Sequence, residues 1–160
     1  MRKQKGFSLI ELLIVVAIIL IIAAIAIPNL LRSRIAANEA SAVGSLRTLS
    51  TAEVTYQSTY PDLGFACTLA ALGGSGTPTS ASAGLIDATL SGGTKSGYTF
   101  ASSTTCVSAT GTTIFITYGW GGAPVAPGQT GQRYFCSDQS GVIKFSQTDV
   151  ATCVSAGSSL

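Results

Sequence analysis

A single carboxylate, Glu11, stands at the mouth of sixteen consecutive apolar residues, Leu12 to Ile27. No other feature of the 160-residue chain narrows its folding options as much. Taken as a helix, Phe7–Ile27 spans about 31 Å at ~1.5 Å per residue, the thickness of a bilayer core. A carboxylate within such a run costs about 2.5–3.5 kcal/mol at mid-bilayer and less near an interface. It therefore needs either a local cap or a partner. Ser8-Leu9-Ile10-Glu11 supplies the pattern of a capping box, in which Ser and Glu satisfy orphan amides of the first turn. The positive end of the helix dipole favours the same placement. The second possibility is a cationic partner on another chain.

The flanks discriminate further. Arg2, Lys3 and Lys5 form a basic leader that ends at Gly6. A secretory signal carries a shorter apolar core with a small-residue cleavage site after it. Here the small residue precedes the core, and Pro28-Asn29-Leu30-Leu31-Arg32 follows it. A cut between Gly6 and Phe7 removes only the charged leader and leaves the apolar helix in place with a new amine at Phe7.

The run Lys5-Gly6-Phe7-Ser8-Leu9-Ile10-Glu11-Leu12-Leu13-Ile14-Val15-Val16-Ala17-Ile18, extending to Pro28, resembles the type IV pilin family. The likeness is strong over about the first 56 residues and loose beyond. It implies a prepilin peptidase that cuts between Gly6 and Phe7, N-methylation of Phe7, and storage in the inner membrane. It also implies extraction by a pilus assembly platform into an extracellular helical homo-oligomer. Glu11 is assigned to subunit docking, through the Phe7 amine of a neighbour. The chemistry is coherent: in a core of packed apolar helices an unpaired carboxylate or ammonium is costly, and each neutralises the other. A slipped helix leaves both unmatched, so the pair reports axial register.

Beyond Pro28 the pattern becomes amphipathic. Ile35, Ala42, Leu46, Leu49 and Tyr56 recur at helical spacing, with Arg32, Arg34, Asn38, Glu39, Arg47 and Glu53 interleaved. Pro28 lacks a donor and crowds the carbonyl of Ala24, which predicts a helix break or kink there. The expected organisation is a leader (1–6), a transmembrane or filament-core helix (7–28), an amphipathic half (29–57) and a globular head (58–160). Tyr60-Pro61-Asp62-Leu63-Gly64 ends the helix, and residues 73–84 read as a Gly/Ser/Thr surface loop. Strand-like runs follow at Tyr98–Ala101, Thr113–Gly119, Arg133–Ser137 and Val142–Ser146, with 121–128 as a loop before the third. The expected fold class is α+β, and the resemblance implies the type IV pilin fold: a long N-terminal helix packed on an antiparallel sheet of about four strands.

The remaining residues argue against chemistry. The chain has no histidine, and Asp62, Asp87, Asp138 and Asp149 are dispersed in turn or cap contexts. Asp138 with Asp149 lacks the dense carboxylate loop of a calcium site. No catalytic residue, metal site or cofactor is expected. Beyond the leader the chain carries six basic and seven acidic side chains, with no basic stripe for nucleic acid. Arg133, Lys144 and Lys95 would offer a weak DNA surface only if they clustered.

Four cysteines, Cys67, Cys106, Cys136 and Cys153, lie beyond the apolar run with no C-x-x-C spacing. In an exported chain two disulfides are the economical reading. Three pairings are open. Cys136–Cys153 with Cys67–Cys106 is favoured, because Cys153 follows the last strand-like run closely enough to fold back and pin a weakly apolar tail. The resulting expectation is a structural pilus subunit. The alternatives are a pseudopilin of a type II secretion system and a membrane-tethered binding module that never polymerises.

Overall fold

The computed structural model describes residues 7–104 and 106–160. They divide into two compact units, one of residues up to Arg34 and one of Ile35–Leu160. A single helix, α1 (Leu9–Thr59), contributes to both and ends two residues past the expected boundary.

In the first unit every described residue except Ala23 is exposed. α1 is long and apolar enough here to cross a membrane. The helix runs through Pro28 without the expected break. The reason is geometric: a proline φ near −65° is already helical, so the ring forfeits one hydrogen bond without forcing the chain out of the α region.

In the second unit the buried residues of α1 are Glu39, Ala42, Ser45, Leu46, Leu49, Ala52, Glu53 and Tyr56. Six of them, 39, 42, 46, 49, 53 and 56, follow the alternating 3- and 4-residue spacing of one helix face. That face meets a six-stranded antiparallel meander. Its strands, in chain and spatial order, are β1 (Thr94–Lys95), β2 (Tyr98–Ser102), β3 (Gly119–Pro124), β4 (Tyr134–Asp138), β5 (Ile143–Ser146) and β6 (Ser158–Ser159). β2, β4 and β5 lie where alternation placed them, and the two additional strands are two-residue edges. Leu46, Leu49, Tyr98, Phe100, Trp120 and Phe135 form the centre of the core. Each fully buried Leu contributes about 1.5–3 kcal/mol relative to exposure.

The second strand departs from expectation. Thr113–Tyr118 is not a strand; Phe115 makes only isolated bridges, to Gly64 and Ser108. The Thr117 hydroxyl accepts from the Val107 amide at 3.1 Å, diverting a donor that a ladder would use. The strand is instead Gly-Trp-Gly-Gly-Ala-Pro, whose last four residues were expected as loop. The glycines serve close approach. A Cβ on Gly121 would stand 2.4 Å from a Val150 methyl of the short helix α4 (Val150–Ala156). Trp120, between Gly119 and Gly121, points the other way, to α1. Thus α1 covers one face of the sheet, and α4 covers the other at β3–β5. Two four-residue helices, α2 (Leu69–Leu72) and α3 (Ala88–Ser91), close the edge of the core through Leu72 and Leu90.

Candidate functional site

The helix start around Glu11 is solvent-facing in the single chain. The Ser8 amide donates to a Glu11 carboxylate oxygen at 2.9 Å, and the Leu12 amide to the Ser8 carbonyl at 3.3 Å. This is one half of a capping box, so Glu11 has a local partner before any second chain arrives. Phe7 is 82% exposed, and the large side chains from Leu9 to Leu31 project outward. Gly6, the residue before the expected cut, lies outside the described residues.

Two glutamates that the sequence reading left among the interleaved polar positions are buried. Glu39 accepts from the Gln132 and Arg133 amides at 2.9 and 3.2 Å. It also forms an ion pair with the Arg133 guanidinium, at 2.8 Å from Nε and 2.7 Å from Nη2. Arg133 lies over the Phe135 and Phe145 rings, 5.4 and 5.3 Å from their centres. Glu53, 0% exposed, accepts from the Ala66 amide at 2.8 Å and the Trp120 indole N–H at 2.9 Å. Burial pushes its carboxyl up to about 7, against the opposing pull of those two bonds. Both residues sit on the 39–42–46–49–53–56 face, and that spacing was the available clue to their burial. Ser50 and Ser137 hydroxyls, 3.0 Å apart, add a third polar link between α1 and the sheet.

Two disulfides close the head. Cys67 joins Cys106 with Cα atoms 6.0 Å apart, and Cys136 joins Cys153 at 5.9 Å. The first ties the segment after α1 to the stretch between β2 and β3, and the second ties α4 to β4.

The scattered acids have local duties. Asp149 and Asp87 cap α4 and α3 by accepting from the Thr152 and Leu90 amides at 2.6 and 2.9 Å. Asp138 accepts from Ser140 at 2.9 Å in the β4–β5 turn. Among the described residues no three His, Cys, Asp or Glu side chains come together as metal ligands. Of the three basic residues weighed as a weak DNA surface, Lys95 pairs with Asp87 at 2.9 Å and Arg133 is committed to Glu39.

The described chain is an exposed apolar helix with a capped carboxylate at its start, continued into a disulfide-closed α+β head. Similarity refines this picture. The prokaryotic N-terminal methylation motif matches residues 1–27. Over 39 residues the chain is 67% identical to the type IV wide pilus major component PilA4 of Thermus thermophilus, covering 24% of this chain and 30% of that protein. Over 54 residues it is 46% identical to the type IV major pilin protein PilA of Myxococcus xanthus, covering 34% of this chain and 24% of that one. On this segment the chain is similar to type IV pilins. The matches thus span less than a third of either relative's length. No solved structure matches the chain significantly.

Proposed function

We propose that this chain is a structural subunit of a type IV pilus and not an enzyme. The observation that carries the reading is the apolar stretch Leu12–Ile27, outward-facing along α1 and led by a single carboxylate. So much exposed apolar surface is satisfied only by lipid or by copies of itself. A prepilin peptidase cuts between Gly6 and Phe7, and the new Phe7 amine is methylated. The subunit waits in the inner membrane until the assembly platform draws it into a helical, extracellular homo-oligomer.

Glu11 changes partners in that process. In the stored subunit it caps its own helix. In the filament it also receives the Phe7 ammonium of a neighbour, so that neither charge is left bare in a dry core. Pro28, where one backbone bond is missing, is the point at which α1 opens on assembly.

The experiment uses sheared surface filaments and the Glu11→Ala chain. Intact mass of filament subunits is expected to correspond to a start at Phe7 with one added methyl. Glu11→Ala is expected to remain in the membrane fraction and to yield little or no filament. A filament subunit that retains Met1, or wild-type filament yield from Glu11→Ala, overturns the reading.

A further inference from the structure

Glu53 is a buried charge that the filament reading does not use. It lies at the centre of the head with no exposed surface, and its two hydrogen bonds come from different segments: the stretch after α1, through the Ala66 amide, and β3, through Trp120. No cation among the described residues answers it. The two ion pairs among the described residues join Lys95 to Asp87 and Arg133 to Glu39. The titratable groups that face Glu53 are phenols: Tyr56 on α1 and Tyr118 just before β3. Burial raises both, so they stay neutral through the physiological range.

The geometry points to Glu53 as a proton-operated latch in the head: ionised, it accepts from both Ala66 and Trp120 but carries an unpaired buried charge; protonated, it releases one of those bonds and the charge with it. An ionised carboxylate accepts at both oxygens. A carboxylic acid turns one oxygen into a hydroxyl donor, which then faces an N–H donor. Protonation therefore weakens one of the two bonds, while removing an uncompensated buried charge. These opposing effects place the transition near neutrality, where burial outweighs the bonds from Ala66 and Trp120.

The sign of the linkage is set by a carboxyl moved upward on folding. The ordinary value is 4.5 and the folded value about 7. Between these the folded head binds a proton that the unfolded chain has released. The stabilisation is complete below the ordinary value and is lost as pH rises through about 7. Over that window the folding equilibrium shifts by at most about 300-fold.

The chain is well suited to a test. It has no histidine and one tryptophan, Trp120, which is the latch partner itself. All four cysteines are in disulfides. Trp120 emission of the full-length protein in detergent micelles is followed across about pH 5 to 9, in the wild type and in Glu53→Gln. The expected result is a single-proton transition centred near pH 7 in the wild type and none in the variant. A flat wild-type profile overturns the latch, as does the same transition in the variant. If Glu53→Gln fails to fold, Trp120→Phe decides, read as the pH dependence of thermal unfolding by circular dichroism. Loss of a donor that favours the ionised form moves the midpoint upward; a midpoint that stays put or falls overturns the proposal.

Discussion

α1 is one helix in two different situations. Up to Arg34 it presents isoleucines and leucines outward and buries none of them. From Ile35 on it turns one narrow face inward, and two of the six positions on that face are glutamates. The apolar unit has no interior of its own, whereas the polar-looking unit contains the core. Hydrophobicity by itself therefore locates the surface that needs a partner, not the surface that is buried within the chain. The head is held by a few polar bonds of fixed geometry added to ordinary packing, while the first unit awaits a surrounding medium.

If the two regions are energetically separate, changes in the core should act on the head alone. Phe135→Ala removes a fully buried ring from β4 and should cost about 3–5 kcal/mol of head stability. Thermal unfolding of the full chain in micelles should show a much lower midpoint, with membrane retention unchanged. Replacing both Cys136 and Cys153 by Ser removes the tie between β4 and α4. The expected loss is about 3 kcal/mol, read from denaturant midpoints against the untouched protein. Gly121→Ala places a methyl against Val150 and should cost about 1–3 kcal/mol, because α4 must shift off the sheet. The smallest effect belongs to the other region. Ile18→Ala should move head unfolding by no more than about 0.5 kcal/mol. A larger change at Ile18, or a loss of membrane retention in Phe135→Ala, would show that the two regions are not separable.

The same contrast explains what could be read before the structure. The first region was legible because sixteen apolar residues admit few interpretations, and a carboxylate preceding them fewer still. Three of the sheet's longer strands were legible from alternation at Tyr98, Arg133 and Val142. β3 was not: glycine is a poor strand residue on its own account, and its presence at 119, 121 and 122 answers to Thr104, Val150 and Phe100 respectively. Thr113–Tyr118 had the right alternation, but its Thr117 hydroxyl and single-residue bridges take the place of a ladder. Glu39 and Glu53 were misassigned because residue type was weighed above position. Their partners, Arg133 and Trp120, lie 94 and 67 residues away, and no local pattern announces them. The local break expected at Pro28 is absent from the single chain for the opposite reason: proline's φ suits a helix even where its missing donor does not.

Glu39 and Glu53 are fourteen residues apart on α1, about 21 Å along its axis. Glu39 accepts from two backbone amides and the Arg133 side chain, and Glu53 from one amide and the Trp120 side chain. A pull along the helix axis meets these bonds sideways and together, as shear, instead of opening them one at a time from an end. Sliding by a single turn would bring a carboxylate into the seat of an alanine or leucine and leave five donors empty. Under tension the helix and head should therefore part in one abrupt event, and the force at which they do so is set by the two pins acting at once.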